Sequence, residues 1–224
     1  MLANLYRKMG LHDREMQTYQ DWMNAMPGDP TAHYMMARAY ERAGQDAMAM
    51  QELAAFERMS AGDPSAYPQI ADLYRRLGDP ANQGRVLETW ASQVPGSPDA
   101  RLALAQYYMQ TGNYGAAAAE YQAATQILPN NASAHIWLAR AYQRTGDLAS
   151  AQAELATALA LQPQDMSIRL QLADLYRRTG DPYGAIQVYQ EVVATNPDSP
   201  EGRRAAQAIR RIENQLRRAS QPSA

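Results

Sequence analysis

Cysteine is absent from the 224-residue chain, which excludes disulfide staples, thiolate metal ligands and a cysteine nucleophile. That absence suits a reducing cytosol and an envelope compartment alike, so localisation stays open between cytoplasmic and periplasmic or envelope-associated. Lys8 is the single lysine, and Phe56 is the one phenylalanine against 14 Tyr and three Trp. No run approaches the 18 or so apolar residues of a membrane-spanning helix, and the first ten residues lack the apolar core of a signal peptide. The three histidines, His12, His33 and His135, are scattered. No H-E-x-x-H pair, glycine-rich phosphate loop or serine elbow accompanies them. Catalysis therefore has no support in the sequence, and no metal or cofactor is implied. The formal net charge of −2 is too small to point to nucleic acid, but it is unevenly spread. Residues 200–224 hold six Arg against only Glu201 and Glu213. The usage of Ala, Arg and Gln reads as bacterial.

Hydrophobic residues make up 46% of the chain, enough for a continuous core, and they recur with a period. Gly10, Gly44, Gly78, Gly112, Gly146 and Gly180 fall 34 residues apart. Four residues before each stands a tyrosine (Tyr6, Tyr40, Tyr74, Tyr108, Tyr142, Tyr176), and seven before stands an alanine (Ala3, Ala37, Ala71, Ala105, Ala139, Ala173). No insertion breaks the series, so it is a true internal repeat. Within a unit, Leu104, Ala105 and Tyr108 form the narrow apolar stripe of one helix. Glycine, followed by Asn113, Asp147 or Asp181 in the later units, ends that helix and caps the next. The second helix carries Ala117, Tyr121 and Ala124 at helical spacing, and Pro27, Pro95, Pro129, Pro163 or Pro197 closes it. Neither helix can bury its stripe alone, so hairpins must stack. The expectation is an all-α chain, a right-handed solenoid of about six antiparallel helix hairpins over residues 1–199. Its units start near residues 1, 30, 64, 98, 132 and 166. A basic capping helix follows over 200–219, with an apolar seam at Ala205, Ile209, Ile212 and Leu216, and then a short polar tail over 220–224.

These residues resemble the tetratricopeptide repeat (TPR) family, whose 34-residue signature runs W-x2-L-G-x2-Y, then A-x3-F, then P. The resemblance covers residues 1–199 in six registered copies. The family's first Trp is replaced here by His33, Tyr67, Arg101, His135 and Arg169, a departure common in the family. The resemblance implies a non-catalytic scaffold that binds a partner protein or extended peptide on a concave surface lined by the first helix of each unit. Carried over position by position, it implies partner-binding roles for Tyr34, Arg38 and Arg42 in the second unit and Asp72, Arg75 and Arg76 in the third. Leu102, Gln106 and Met109 follow in the fourth unit, Ile136, Trp137, Arg140 and Arg144 in the fifth, and Asp174, Arg177 and Arg178 in the sixth. Such a groove is arginine-rich with apolar islands. It suits a partly acidic peptide, because arginine offers paired N–H donors to a carboxylate. Asp72 and Asp174 stand three and four residues from arginines, so helix-local pairs should take up part of that charge. The Lys/Asn pair of chaperone-tail-binding members and the asparagine ladder of sugar-transferase members are both missing, and a carboxylate clamp of that kind is not expected.

The units are not alike. At the small-residue positions of the second helix, Ala117/Ala124, Ala151/Ala158 and Ala185/Val192 in the later units face Glu15/Trp22, Ala49/Phe56 and Gln83/Trp90 in the earlier ones. Bulky residues at a close crossing should make the first three units less regular. The third unit departs most: Ala61 replaces the closing proline, and Pro68 reads as a late helix start. That junction is the expected hinge. Two further functions stay open. The chain begins inside a helix with no cap, as a piece of a longer array would; the alternative is an apolar end that is covered, and one that met a neighbouring copy would give a homo-oligomer or filament. The doublets Arg203/Arg204, Arg210/Arg211 and Arg217/Arg218 could instead meet an anionic polymer or membrane surface. Aromatic residues that would stack on single-stranded nucleic acid are absent from this helix.

Overall fold

The computed structural model describes residues 2–219. Thirteen helices account for nearly all of it, twelve of them forming six successive hairpins. They are α1 (Leu2–Lys8) with α2 (His12–Ala25), α3 (Pro30–Arg42) with α4 (Asp46–Met59), and α5 (Tyr67–Arg76) with α6 (Pro80–Gln93). The series continues with α7 (Pro98–Thr111) and α8 (Tyr114–Ile127), α9 (Ala132–Thr145) and α10 (Leu148–Leu161), and α11 (Met166–Arg178) and α12 (Pro182–Thr195). Helix α13 (Pro200–Ala219) follows and packs on α12 and α11. The expected tail, residues 220–224, lies outside the described residues. Among the described residues no helix is long and apolar enough to cross a membrane. The all-α hairpin architecture is the one the 34-residue period implies.

Both ends of each hairpin are set by the repeat positions. All six periodic glycines adopt positive φ, between 68° and 88°, a region that side chains with a Cβ avoid. At the far end, the residues before the closing prolines, Met26, Val94, Leu128, Gln162 and Asn196, leave the helix with ψ between 62° and 88°. Proline excludes the α region from the residue before it, which explains the common exit. Ser60, followed by Ala61 instead of proline, stays at ψ 15°. The missing proline is thus written into the backbone, and α5 starts at Tyr67, three residues later than the period predicts, with Pro68 in its first turn.

The chain divides into two compact units, Met1–Pro95 and Gly96–Ala224. The division falls after Pro95, not at the 61–68 junction where a hinge was expected. That junction has its own fastenings. Asp63 accepts hydrogen bonds from the Ser65 N–H and Oγ, Ala66 and Tyr67 are buried, and the Tyr67 hydroxyl donates to Gln93 Oε1 at 2.6 Å.

Within the second unit, Ala117, Ala124, Ala151, Ala158, Ala185 and Val192 are completely buried. Their small side chains let neighbouring helices close over Leu155, Ile168 and Leu175, each such burial being worth roughly 1.5–3 kcal/mol. The first unit fills the same crossings with Phe56 and Trp90, both buried, and with half-buried Trp22 and several Met. Position four of the repeat, where the family places Trp, holds a polar staple between the two helices of a hairpin. His33 meets Glu52 at 2.6 Å, Arg101 meets Glu120 at 2.7 Å, and His135 meets Glu154 at 2.6 Å. Those two histidines have structural roles.

Candidate functional site

In the first unit the expected groove residues are largely engaged with their own neighbours. The Tyr34 ring lies 5.1 Å from that of Phe56, and the Arg38 guanidinium sits 5.7 Å over Tyr34. Arg42 pairs at 2.5 Å with Glu15, a carboxylate only 1% exposed, so this cation neutralises a buried charge within the fold. Asp72 accepts from Arg75 at 2.5 Å and Arg76 at 2.8 Å. Burial pushes the Asp72 carboxyl up, but the two arginine hydrogen bonds outweigh it and hold the group below the usual carboxylate value. These local pairs take up charge as the sequence spacing suggests. Nearby, burial and a hydrogen bond to Glu57 push the Tyr74 phenol up to about 12.

The second unit leaves more of its surface unspent. Leu102 and Met109 of α7 are half-buried beside Trp137 of α9, all three packing on Ala105, Tyr121 and Leu138. Ile136, one residue from Trp137, packs instead on the cluster of Leu155 and Ile168. The four expected apolar residues therefore do not form one patch. Gln106 is exposed. Arg140 is exposed and has no carboxylate within ion-pair distance among the described residues. Arg144 stands 4.3 Å over the Tyr114 ring and donates to its hydroxyl.

A cavity of about 660 Å³ lies where α11 meets α13. From α11 it receives Gln171, Asp174, Arg177 and Arg178, and from α9 Gln143. Helix α13 closes the other side with Arg204, Gln207, Arg211 and Gln215. Asp174 is the hub: it accepts from Tyr189 at 2.5 Å and Arg204 at 2.7 Å, with Arg177 at 4.0 Å. Arg178 donates to Gln143 at 3.1 Å. Burial and the Asp174 hydrogen bond push the Tyr189 phenol up to about 12, so it stays a neutral donor. Four arginines around one aspartate leave the cavity cationic. Arg204 and Arg211 belong to the doublets that the sequence offers to an anionic surface, whereas Gln207 and Gln215 are not among its candidate residues. Their signal was present in the spacing: 204, 207, 211 and 215 share one helix face, adjoining the seam at Ala205, Ile209, Ile212 and Leu216 that packs on Leu170, Ala173 and Tyr189.

The seat of α13 depends on a close approach. Gly202 is buried, and a Cβ there would run into the carbonyls of Asn196 and Pro197. Ser199 Oγ accepts from the Gly202 N–H at 2.9 Å, capping the helix at this corner. Among the described residues no group of three or more His, Asp or Glu could hold a metal ion.

Residues 105–146 match the family model described as TPR repeat, and residues 138–200 match one described as tetratricopeptide repeat. Residues 105–200 carry tetratricopeptide repeats. Both TPR matches lie in the second unit. No curated protein matches the chain. Among solved structures, the fold is similar to that of PilW, described as a widely conserved type IV pilus biogenesis factor. The TM-score is 0.59 at 17% identity, over 92% of this chain and 95% of that one. MamA from Desulfovibrio magneticus RS-1, beginning at its residue 41, gives 0.57 at 18% identity over 87% and 97%. YrrB, described as a TPR protein with an unusual peptide-binding site, gives 0.56 at 18% over 74% and 86%. At these identities the likeness is one of fold.

Proposed function

We propose that this TPR chain is a non-catalytic protein-interaction scaffold that holds an extended, partly acidic peptide segment of a partner on the first-helix faces of its hairpins. The supporting observation is on α9. Trp137 offers a half-buried apolar ring, and Arg140, three residues on, is exposed without a carboxylate partner among the described residues. An apolar anchor beside a free guanidinium suits a side chain followed by a carboxylate. The peptide-binding site in the description of YrrB lends the reading weight by analogy of fold. Arg144 extends the same face, held over Tyr114. In the first unit, Tyr34 with Arg38 repeats the pairing of aromatic ring and guanidinium, whereas Arg42, Arg75 and Arg76 act chiefly within the fold. Titration of the chain with fluorescent peptides graded in Asp and Glu content tests this. Arg140→Ala/Arg144→Ala should weaken acidic peptides about tenfold, and an unchanged affinity would reject the α9 face.

A second reading, self-association, has its own observation. Leu2 and Leu5 of α1 are each 52% exposed, and Met9, in the turn that follows it, is 61% exposed. A neighbouring copy that covered them would produce a homo-oligomer. Light scattering across concentration decides it: a constant monomer mass removes this reading, and growth that Leu5→Glu/Met9→Glu abolishes establishes it.

A further inference from the structure

We infer that α13 is a working half of a binding pocket as well as a cap: with α11 it forms an anchoring site for a carboxylate-bearing peptide segment. The inference rests on the scaffold reading above and assigns it a specific place and ligand chemistry. The cavity of about 660 Å³ is of a size that ligand pockets commonly have. Its charge is set by Arg177, Arg178, Arg204 and Arg211 against Asp174 alone, and Asp174 already accepts hydrogen bonds from Tyr189 and Arg204. Arg211 has no carboxylate within ion-pair distance among the described residues, and Arg177 has a stretched contact of 4.0 Å to Asp174 beside a hydrogen bond to the Tyr189 hydroxyl. With Arg178, which donates to the neutral Gln143 carboxamide, these two guanidiniums are left to meet an incoming anion.

The glutamines decide which anion. Gln143, Gln171, Gln207 and Gln215 line the same space. A carboxamide carries a donor pair and an acceptor. A free sulfate only accepts, and hydrogen phosphate brings one or two O–H groups, too few for the carboxamide oxygens of Gln171, Gln207 and Gln215 together, Gln143 Oε1 being taken by Arg178. A peptide brings carboxylates for the arginines and, in its own backbone, both N–H and C=O groups for the amides. The chemistry thus favours an acidic peptide over an inorganic anion. The same geometry separates the arginine doublets of α13. Arg204 and Arg211 line the cavity, and Arg203 and Arg210 do not.

The test uses the full chain and fluorescein-labelled peptides of about ten residues carrying from none to four Asp or Glu, read by anisotropy. Affinity should rise with acidic content and fall about tenfold in Arg177→Gln/Arg211→Gln. Arg203→Gln/Arg210→Gln, which removes the same charge outside the cavity, should change it less than about twofold. Gln171→Leu/Gln207→Leu keeps the charge and should still weaken the peptides. Circular dichroism and melting temperature establish that each variant is folded. Equal loss in the two arginine pairs would overturn the inference, since only diffuse charge would then matter. Competition by inorganic phosphate at concentrations similar to the peptide would overturn it in favour of a free-anion site. Peptides that bind with sensitivity to Arg140→Ala/Arg144→Ala but not to the pocket variants would reject the pocket and leave the scaffold reading standing. Absence of binding by any peptide would reject both.

Discussion

The two compact units solve the same packing problem with different materials. In residues 96–224 every helix from α7 to α12 has a side-chain N-cap: Ser97, Asn113, Asn131, Asp147, Asp165 and Asp181. In the first unit, α3 and α6 are capped by Asp29 and Asp79, but α2, α4 and α5 have Leu11, Gln45 and Ala66 at that position, with no side-chain hydrogen bond. The second unit closes its helix crossings with Ala and Val, and the first with aromatics and with a buried Glu15 held by Arg42. Both family matches fall in the second unit. A repeat fold therefore tolerates loss of caps and of small crossings so long as the glycine turn and the paired apolar stripes persist. Local signals and tertiary packing can substitute for one another.

Four experiments would break or sharpen that contrast. The largest effect is expected where an aromatic fills a crossing: Trp90→Ala should cost about 3–5 kcal/mol in urea unfolding, and a loss below about 1 kcal/mol would mean that the ring is not core. Next comes the buried charge. Arg42→Met should cost about 3 kcal/mol, discounted because Arg42 itself is partly exposed. Glu15→Ala/Arg42→Met, which installs the alanine seen at 117, 151 and 185, should recover much of that loss; a double-mutant cycle measures the recovery. Third, capping should be transferable. Asn131→Ala should lose about 1 kcal/mol, and Gln45→Asp should raise the first unit's stability by up to about 1 kcal/mol. If Gln45→Asp gives nothing, the uncapped helices are limited by something other than their N-termini.

The smallest effect is acid dependence. Asp79 is held below the ordinary carboxylate value by hydrogen bonds from the Asn82 backbone and side chain, and Asp29 likewise by Thr31. A folded-state value below the unfolded one contributes stability that is complete above about pH 4 and is lost as pH falls through the folded value. Melting temperature should therefore decline on acidification below about pH 4. Asp79→Asn should leave the neutral-pH value nearly unchanged, since Asn caps equally well, and should flatten part of the acid limb. An identical acid limb in that variant would show that its cap plays no part.

Much of this was legible in the residues. A 34-residue period of Gly, Tyr and Ala is a local device, and positive φ at each glycine and the exit before each proline follow from the chemistry of those two residues alone. The late start of α5 followed from Pro68 in the same way. The hairpin pairing was legible too, because two short stripes joined by a tight turn can bury themselves only against each other. Less was legible at the candidate site. Position within the repeat gives a face, but not what a long side chain reaches. Arg42 turns out to neutralise Glu15, 27 residues away, and Ile136 and Trp137 join different apolar clusters from one helix.

The repeat sequence by itself determined the helices, their ends and their order, because those depend on interactions between residues a few positions apart. Beyond helix-local pairs such as Asp72 with Arg75 and Arg76, the tertiary structure decided which charges are spent inside the fold and which remain free. It also decided that α13 brings Arg204 and Arg211 to Arg177 and Arg178, and that the chain divides after Pro95. Those outcomes depend on long flexible side chains meeting partners about 30 residues distant, and on a corner at Gly202 that only the absence of a Cβ allows.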